Sequence, residues 1–587
     1  MEKYLERYQT WLTGEFFDQE TKQELEAIRD DDNEIRERFS VDLEFGTAGL
    51  RGIIGAGTNR MNKYVVRRAT QGIANYILGL DKNAASLKDG KTGAERGVVI
   101  AYDSRHMSKE FSDEVARCLA ANGIKAYRFE SLRPTPELSF SVRELGCIAG
   151  INVTASHNPS NYNGYKVYWE DGAQITPPHD TGIMKEVLAI EDFSTCRTMP
   201  AEEAKAAGLY VTVGKELDEK FIACVESTIL NKDLIREMAD ETTIVYTPLN
   251  GTGHVPVMRV MKDLGFRKVY EVPEQAEPDG NFPTTPYPNP EAAETFTLAL
   301  KLAKEKDADL VLATDPDADR LGIYVKDRES GEYISFTGNM TGSLLCEYVL
   351  NQKQARGTLP EDGTVVRTVV STRLMDAIAK NYGCEIVECL TGFKWIAGVI
   401  RTEEEQGKIR YQFGMEESYG CIIGTYARDK DAVSAVASLC EMASFYKKQG
   451  KTLWDAMTDM YRRYGFYKEY TKSAMFPGLD GKEKMAALLE DLRRSTPEEL
   501  AGRKVLIVRD YKRNTVTDLR TGAVKETGLP ESNVILYELE GDAWVCVRPS
   551  GTEPKVKFYC GVKGDSFESA NRMVQELDSA LTALIEK

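Results

Sequence analysis

The sequence lacks several features that would place a protein in a membrane or outside the cell. No apolar run approaches the roughly 18 residues that a membrane-spanning helix needs, and residues 1–7 are charged, without the core of a signal peptide. The eleven cysteines are odd in number and include no Cys-x-x-Cys pair. This usage indicates reduced thiols rather than a disulfide framework or a metal cluster. These absences favour a cytoplasmic protein.

A surplus of positive charge is missing too. The chain has 75 Lys and Arg against 92 Asp and Glu, a net charge of −17, which argues against binding to nucleic acid or to an anionic membrane. An anionic substrate must therefore be bound by local cationic groups. With 42% hydrophobic and 28% charged residues the composition is that of a globular protein. A chain of 587 residues predicts about three to five domains.

Three stretches of the chain repeat one plan of strand, helix, glycine and strand. The strands that open them begin at Val98, Thr243 and Val365, and a glycine at a predicted helix C-cap follows in each: Gly123, Gly265 and Gly383. A polar loop comes 33 residues after the glycine in the first and third copies and 50 residues after it in the second, whose excess matches a proline-rich insert at residues 273–290. The repeat predicts three related α/β domains with mixed sheets around a central cleft.

The two ends of the chain differ from the repeats. Residues 2–39 are predicted to be helical, and residues 63–80 to form an amphipathic helix. From Lys504 onward, alternating apolar and polar residues predict a small, half-exposed sheet followed by a helix over residues 567–585. This tail is predicted to be an α+β domain. The expected domains span residues 1–210, 211–328, 329–455 and 456–587.

The polar loop of the first repeat is Thr-Ala-Ser-His-Asn-Pro, residues 154–159. It follows an apolar run, residues 148–153, that is typical of a buried strand. Ser156, beside His157, is thus expected on a stiff loop with its hydroxyl presented outward. An ordinary Ser/Asn/Pro turn is the alternative interpretation.

The loop of the second repeat predicts a metal site. Asp315, Asp317 and Asp319 alternate on a tight loop after a buried strand, and their charges repel one another unless a cation lies between them. Carboxylate oxygens suit Mg²⁺. An EF-hand is excluded because Arg320 replaces its glycine and Lys326 its closing glutamate. A solvated acidic turn is the alternative.

The third repeat carries groups suited to proton transfer and sugar binding. Lys394 lies between two aromatic residues, so partial desolvation is expected to lower its pKa toward the range useful for proton transfer. Residues 415–420, Met-Glu-Glu-Ser-Tyr-Gly, offer carboxylates and a hydroxyl for sugar hydroxyls. The charged residues 428–431, Arg-Asp-Lys-Asp, follow closely. Structural ion pairs are the alternative for both.

Two further loops suit phosphate. Residues 548–555, Arg-Pro-Ser-Gly-Thr-Glu-Pro-Lys, combine an arginine fork, two hydroxyls and a glycine, as a phosphate dianion requires; a tight hairpin is the alternative. The glycine-rich residues 45–52 allow close approach of a ligand to the backbone and include Arg51, which suits bidentate binding of phosphate. A plain connecting loop is the alternative. A serine beside a divalent ion favours phosphoryl transfer through a phosphoserine.

The four loops T-A-S-H-N-P, D-P-D-A-D-R, M-E-E-S-Y-G and R-P-S-G-T-E-P-K match, in order, the active-site loops of the α-D-phosphohexomutase superfamily. The chain resembles this family over almost its whole length, most of all its phosphoglucomutase and phosphopentomutase branch. The resemblance implies that a phosphoserine passes its phosphoryl group to glucose 1-phosphate. Glucose 1,6-bisphosphate would form, and the serine would recover a phosphoryl group from its other end, releasing glucose 6-phosphate.

The resemblance also implies roles for individual residues. Ser156 would carry the phosphoryl group and bind Mg²⁺ together with Asp315, Asp317 and Asp319. Glu416 and Ser418 would bind sugar hydroxyls. The other implied catalytic residues are His157, Lys394, Lys166, Arg51 and Arg320. The implied phosphate ligands are Arg548, Ser550, Gly551, Thr552 and Lys557. The expected partners are sugar phosphates, and the expected assembly is a monomer or a homodimer.

Two positions depart from the family pattern. Gly420 stands where similar bacterial mannose/glucose enzymes have a histidine, which moves the expected proton transfer to Lys394. Lys557 stands where glucose-specific relatives have an arginine, and a lysine loses the bidentate fork. Mannose 1-phosphate and pentose phosphates stay open as substrates. A phosphoserine-based phosphatase and a non-catalytic sugar-phosphate sensor are hypotheses of other classes.

Overall fold

The computed structural model describes residues 2–43, 49–476, 481–550 and 555–585. Its contacts divide the chain into two compact units, Met1–Lys326 with Gly420–Lys448, and Asp327–Tyr419 with Gln449–Lys587. No helix in the described ranges is long and apolar enough to cross a membrane. All eleven cysteines lie within those ranges and none takes part in a disulfide bond, as the sequence predicts. The four predicted domain boundaries stay predictions.

The first unit begins with three short helices and a sheet covered by further helices. In chain order its first elements are α1 (Lys3–Thr13), α2 (Gln19–Ala27), α3 (Asp32–Phe39), β1 (Leu50–Ile53), α4 (Lys63–Lys82), α5 (Gly93–Arg96), β2 (Val98–Tyr102), α6 (Ser108–Ala121), β3 (Ala126–Phe129), α7 (Thr135–Glu144), β4 (Ala149–Val153), β5 (Tyr162–Trp169), α8 (His179–Leu188), a 3₁₀ helix (Phe193–Thr195), α9 (Ala201–Ala206) and β6 (Tyr210–Val213). The strand order is β1-β5-β4-β2-β3-β6.

The segment over residues 2–39 that is predicted to be helical forms three helices, because new helices begin after the N-cap residues Asp18 and Asp31. The side chain of Asp18 accepts a hydrogen bond from the backbone N–H of Thr21 at the start of α2, and Asp31 accepts one from Glu34 at the start of α3. Such caps satisfy N–H groups that a new helix leaves without partners. The three helices form a small, mainly aromatic core together with Tyr64 of α4.

The second sheet of this unit follows in the chain. Its elements are α10 (Lys215–Ser227), α11 (Lys232–Glu237), β7 (Thr243–Thr247), α12 (His254–Leu264), β8 (Lys268–Glu271), α13 (Pro273–Ala276), a 3₁₀ helix (Ala293–Phe296), α14 (Thr297–Lys306), β9 (Leu310–Thr314) and β10 (Leu321–Lys326). These strands are ordered β10-β9-β7-β8. The proline-rich insert occupies most of the connection between β8 and α14.

The third stretch contributes to both units. Its elements are β11 (Tyr333–Phe336), α15 (Gly338–Ala355), β12 (Thr364–Thr368), α16 (Leu374–Asn381), β13 (Glu385–Cys389), α17 (Phe393–Glu405), β14 (Tyr411–Glu416), β15 (Gly420–Ile422), α18 (Ala432–Lys448) and α19 (Leu453–Tyr464). In the second unit β12 pairs in parallel with β13 and with β14. In the first unit α18 packs on α10, α11 and α12.

The predicted repeat is confirmed by strand order and direction. The parallel triplets β4-β2-β3, β9-β7-β8 and β14-β12-β13 have the same arrangement. The three glycines predicted to end helices have φ values of 76°, 98° and 70° at Gly123, Gly265 and Gly383, the left-handed conformation that a helix C-terminus favours. The fold class of three related α/β sheets is therefore as the sequence predicts.

The last stretch forms an antiparallel sheet with two helices. Its elements are β16 (Phe466–Met475), α20 (Gly481–Arg494), β17 (Glu499–Leu500), β18 (Arg503–Asp510), β19 (Thr515–Asp518), β20 (Val524–Lys525), β21 (Ile535–Leu539), β22 (Ala543–Pro549), β23 (Lys555–Gly564) and α21 (Phe567–Ile585). Its order is β16-β23-β22-β21-β18-β19-β20, with β17 beside β18.

The prediction that this sheet is small and half-exposed is wrong for its central strands. One face of β22, which includes Val545 and Val547, packs in a core with α20 and α21. Its other face, with Trp544, packs against Val369 and Leu390 from the third stretch. Helices cover one face of the central strands and residues of the third stretch cover the other. Both the apolar and the polar positions of these strands are therefore buried, and the alternating pattern does not indicate exposure.

Candidate functional site

The predicted nucleophile lies at the sharp turn that follows β4. Ser156 is buried and has φ = 52°, a conformation uncommon for residues other than glycine. Its backbone N–H donates a 2.8 Å hydrogen bond to Thr154 Oγ1. A strained conformation of this kind persists only where surrounding contacts impose it.

Arg105 supplies those contacts from the turn that follows β2. Its guanidinium pairs with Asp103, at 3.3 Å between Nε and Oδ2, and both side chains are fully buried. It donates hydrogen bonds to three backbone carbonyls of the nucleophile loop (residues 154–159), those of Ser156 (2.5 Å), Asn158 and Pro159 (2.7 Å), and to the carbonyl of Tyr162 at the start of β5 (3.2 Å). The buried ion pair therefore fixes the path of the loop.

The three predicted metal ligands lie together beside the nucleophile. Asp315, Asp317 and Asp319 are buried in the loop between β9 and β10, and each offers an oxygen within 4.8 Å of the others. Ser156 Oγ donates a 2.6 Å hydrogen bond to Asp315 Oδ2. The loop after β4 and the loop after β9, which belong to two different sheets, therefore meet at this hydrogen bond.

Two ammonium groups partly balance the three carboxylates. Lys166 Nζ on β5 lies 2.7 Å from Asp317 Oδ2 and 3.3 Å from Asp319 Oδ2. Lys430 Nζ lies 3.3 Å from Asp319 Oδ2. All these side chains are almost wholly buried, where each charge needs a partner of opposite sign.

The pKa values follow from this arrangement. Burial and the charges of Asp317 and Asp319 raise the pKa of Asp315 well above its usual value. Burial also raises the pKa of Asp317 and Asp319, but the ammonium groups outweigh it and both pKa values are lowered. Burial lowers the pKa of Lys166, but Asp317 and Asp319 raise it to above the usual value.

The donor set fits a small divalent cation. Among the described residues, the buried atoms Asp317 Oδ1 and Asp319 Oδ1 receive no hydrogen bond. Buried carboxylate oxygens without a hydrogen bond are costly, and oxygen donors from several carboxylates are what Mg²⁺ binds. The triad therefore has the chemistry of a metal site.

Three further predicted catalytic residues surround the same turn. Arg51 on β1 donates a 2.9 Å hydrogen bond to Asn158 Oδ1. His157 Nδ1 lies 3.1 Å from Ser156 Oγ. Burial, and then the charges of Arg320 and Arg51, lower the pKa of His157 well below its usual value, so its imidazole is neutral. Arg320 is held by a 2.6 Å ion pair with Glu291.

Residues 415–419 of the predicted sugar loop lie in the second unit. Glu416 ends β14, and its Oε1 accepts a 2.7 Å hydrogen bond from the N–H of Gly392. Ser418 follows in the tight turn in which Tyr419 has φ = 66°. Lys394, buried in the first turn of α17, places its ammonium 5.6 Å from the ring centroid of Trp395.

Two of the predicted phosphate ligands, Arg548 and Lys557, lie close enough to this loop to act on the charge of Glu417. Arg548 on β22 and Lys557 on β23 are paired across the two strands, and the N–H of Ser550 donates to the carbonyl of Lys555 at 2.7 Å. Burial and Glu416 raise the pKa of Glu417 to about 7, while the charges of Arg548 and Lys557 lower it. Gly551 and Thr552 lie outside the described residues, as do residues 45–48 of the glycine-rich loop.

The glycine at position 420 has a physical reason. A Cβ at Gly420 would lie 2.0 Å from Cδ of Lys430, whose ammonium contacts Asp319. A histidine at this position therefore has no room beside the Lys430 stem. Glycine at position 420 therefore leaves room for the lysine that contacts the carboxylate triad.

Sequence reasoning missed several residues that hold the site together. Thr135, Asn152 and Glu291 lie in no recognisable pattern, and only the fold brings them to the triad and to Arg320. Asp103 and Arg105 had a usable signal, since they follow a predicted parallel strand at the edge where such sheets bind ligands. Lys430 lies in the charged run of residues 428–431, whose role the sequence alone does not indicate.

Comparison of the sequence with known protein families and with individual proteins identifies its relatives. Models of the phosphoglucomutase/phosphomannomutase family match in chain order, with alpha/beta/alpha domains I, II and III at residues 42–193, 219–331 and 337–464 and the C-terminal domain at residues 496–580. The chain is 37% identical over 544 residues to the phosphoglucomutase of Staphylococcus haemolyticus, covering 91% of this chain and 93% of that protein. It is 34% identical over 579 residues to that of Staphylococcus aureus strain MRSA252, covering 98% of each.

Solved structures share the fold. The Paramecium exocytosis-sensitive phosphoprotein pp63/parafusin, a phosphoglucomutase in its open form, matches with a TM-score of 0.67 and 17% identity, covering 93% of this chain and 96% of that one. A phosphoglucomutase/phosphomannomutase family protein of Burkholderia thailandensis matches with a TM-score of 0.64 and 20% identity, covering 92% and 97%. The resemblance predicted from the four loops is confirmed, and the chain belongs to the phosphoglucomutase/phosphomannomutase family.

Proposed function

We propose that this chain is a phosphoglucomutase that interconverts α-D-glucose 1-phosphate and glucose 6-phosphate through a phosphoserine at Ser156. The observation that carries the proposal is the 2.6 Å hydrogen bond from Ser156 Oγ to Asp315 Oδ2 within a buried carboxylate triad. The relatives named phosphoglucomutase, 34–37% identical over nearly the whole chain, support it. Cysteines without disulfide bonds accord with action in the cytoplasm.

The first unit would hold and activate the phosphoryl group. Asp315, Asp317 and Asp319, with an oxygen of phosphorylated Ser156, would bind Mg²⁺, which when bound neutralises charge on the phosphoryl oxygens. Arg105 holds the loop that carries the serine. Neutral His157 lies beside Oγ, and Arg51, Lys166 and Arg320 place positive charge around the loop, which favours the dianionic group.

The transfer exchanges one P–O bond for another. The bond between Ser156 Oγ and phosphorus breaks as the oxygen of a sugar hydroxyl bonds to phosphorus. The hydroxyl proton passes to a base, for which we propose Lys394, and Ser156 Oγ gains a proton and leaves as a hydroxyl. The product is glucose 1,6-bisphosphate. The reverse transfer from its other end restores the phosphoserine and releases the isomerised monophosphate.

The second unit would recognise the sugar and its non-reacting phosphate. Glu416 and Ser418 would bind sugar hydroxyls. The residues proposed to bind the phosphate are Arg548, Ser550, Gly551, Thr552 and Lys557. Because Lys557 offers a point charge rather than a planar fork, it would bind phosphate with less geometric selection than an arginine.

The test is a comparison of kcat/KM for glucose, mannose and ribose 1-phosphates with Mg²⁺ and a trace of glucose 1,6-bisphosphate. A strong preference for glucose supports the proposal. A preference for mannose or for a pentose keeps the mechanism and replaces the name with phosphomannomutase or phosphopentomutase. Isomerisation of none of them would overturn it, and release of inorganic phosphate instead would indicate a phosphatase.

Ser156→Ala tests the covalent step in the same assay. We expect a loss of turnover by several orders of magnitude, because alanine has no oxygen that can carry the phosphoryl group. The matched control is Ser194→Ala, at an exposed serine of the same unit, which should retain parental turnover. Near-normal turnover of Ser156→Ala would exclude a phosphoserine mechanism, and unchanged function in cells would favour a sensor.

A further inference from the structure

The proline-rich insert packs directly on the nucleophile loop and its supports. The ring of Phe282 lies 5.0 Å from the guanidinium of Arg105. Asn281 Oδ1 and His106 Nε2 are 2.8 Å apart, and Glu291, directly after the insert, forms an ion pair with Arg320. An insert placed here is positioned to act on the reaction that occurs at Ser156.

Tyr287 is the exposed aromatic residue of this insert. Its side chain packs edge-on against His157, with ring centroids 5.8 Å apart and an angle of 85° between the ring planes. His157 Nδ1 is itself 3.1 Å from Ser156 Oγ. Despite this contact, Tyr287 is 41% exposed. The exposed part of the Tyr287 ring is therefore accessible to a ligand that approaches His157 and Ser156.

The ring is held in place before anything binds to it. Prolines on both sides, Pro286 and Pro288, restrict the backbone. The N–H of Asn289 donates to the carbonyl of Tyr287 at 2.8 Å, and the side-chain amide of Asn289 donates to the phenol oxygen at 3.1 Å. A fixed aromatic ring costs little conformational entropy when it binds a ligand.

We propose that Tyr287 is a specificity-determining residue whose ring packs against the apolar face of the sugar that exchanges its phosphoryl group with Ser156. The inference rests on the proposed function, which brings a sugar to this serine. A hexopyranose presents C–H groups on one face and hydroxyl groups around its edge, so a flat aromatic surface complements that face. Sites for small ligands combine such apolar walls with a few polar groups.

The experiment compares Tyr287→Leu and Tyr287→Phe with the parent. The control is Tyr470→Leu, because Tyr470 on β16 is 38% exposed and has no proposed role. We expect the KM of Tyr287→Leu for glucose 1-phosphate to rise about five- to tenfold with kcat nearly unchanged, as loss of an aromatic contact predicts. Tyr287→Phe keeps the ring and should stay within about twofold of the parent, as should the control.

Two further readouts separate recognition from support of the loop. The loss for Tyr287→Leu should be larger for glucose 1-phosphate than for ribose 1-phosphate, whose furanose ring offers a smaller face. The mass of the intact protein after incubation with glucose 1,6-bisphosphate should show Ser156 phosphorylated as fully as in the parent. A fall in kcat with KM unchanged, or an equal loss for both sugars, would overturn the proposal.

Direct binding distinguishes this inference from the proposed function. Calorimetry would measure glucose 1-phosphate binding to Ser156→Ala with and without Tyr287→Leu. Weaker binding with leucine supports the sugar contact even if the parent isomerises no hexose phosphate, whereas equal binding would overturn it whatever the turnover.

Discussion

Thr135 binds Asp317 at two points. Its backbone N–H donates to the Asp317 carbonyl at 2.9 Å and its hydroxyl donates to Oδ2 at 2.8 Å. The same hydroxyl accepts a 2.8 Å hydrogen bond from the amide of Asn152. The first residue of α7 therefore fixes the middle carboxylate of the triad, although the two residues are far apart in the chain.

Thr135→Val should destabilise the fold and weaken the metal site. The substitution keeps the shape but leaves the buried amide of Asn152 without this acceptor, a cost of about 1–3 kcal/mol. Loss of the hydrogen bond to Asp317 should lower Mg²⁺ affinity about 10- to 100-fold. Thermal unfolding and calorimetric Mg²⁺ titration check the two effects. Thr135→Ser keeps the hydroxyl and should lose little Mg²⁺ affinity, and a valine variant equal to it would contradict the role.

Asp317→Asn should abolish tight Mg²⁺ binding. An amide of the same size removes one negative charge from the triad, and we expect Mg²⁺ affinity to fall by about 100-fold or more, beyond the usual loss from an outer contact. Calorimetric titration with Mg²⁺ measures it, and activity should fall in parallel. Asp233→Asn is the control, since that side chain is 99% exposed. Parental Mg²⁺ affinity in Asp317→Asn would remove this residue from the ligands.

Arg105→Lys should lower kcat while the protein stays folded. A lysine can still pair with Asp103, but it cannot donate to all four backbone carbonyls that Arg105 contacts, because it lacks the planar fork. Misplacement of a nucleophile by about 1 Å can cost about 100-fold in rate. Steady-state kinetics with glucose 1-phosphate check this against Arg259→Lys, an exposed arginine of the same unit. A change in KM alone would show that the loop is positioned by other contacts.

Glu469→Gln should stabilise the protein at high pH and much less at low pH. Burial raises the pKa of Glu469 on β16 to about 7, against a hydrogen bond from Thr372 that lowers it. An unfolded glutamate has a pKa of about 4.3. The folded state thus binds the proton more tightly, and the free energy of unfolding falls as the pH rises from about 4.3 through 7. Glutamine cannot ionise and escapes this loss.

Unfolding temperatures measured at pH 5 and at pH 8 check this expectation. The gain of Glu469→Gln over the parent should be several degrees at pH 8 and small at pH 5. The exposed Glu498→Gln should show no such growth with pH. A gain that is the same at both pH values would show that Glu469 has the same pKa in the folded and unfolded states.

The elements that the sequence predicts best are those with a single periodicity and a clear end. The strand at residues 243–247 and the final helix over residues 567–585 agree with the structure residue for residue. Their patterns come from burial on one face or on both, which local composition reports. The prediction of a half-exposed sheet in the tail is wrong because residues distant in sequence form a second layer that covers the other face of this sheet.

In the candidate site, too, residues in local sequence patterns are predictable and residues placed by tertiary packing are not. Ser156 and the three aspartates are recognisable because each lies in a short loop at the end of an apolar strand. Thr135, Asn152 and Glu291 act through hydrogen bonds to those loops, and such partners are chosen by tertiary packing rather than by spacing. Lys430 reaches Asp319 only because Gly420 leaves space for its stem, a condition that neither residue shows alone.

The equivalent strands β4, β9 and β14 each lie beside the central strand of their own triplet. Ser156, Asp315 and Glu416 are at or just beyond their carboxyl ends. One scaffold therefore presents a nucleophile, a set of metal ligands and a hydrogen-bonding carboxylate at structurally corresponding turns. If these repeats descend from one duplicated ancestor, their chemical roles diverged through turn substitutions while the supporting strands stayed under packing constraint. Exchange of turns between copies would then be a route to new phosphoryl-transfer specificities on an unchanged scaffold.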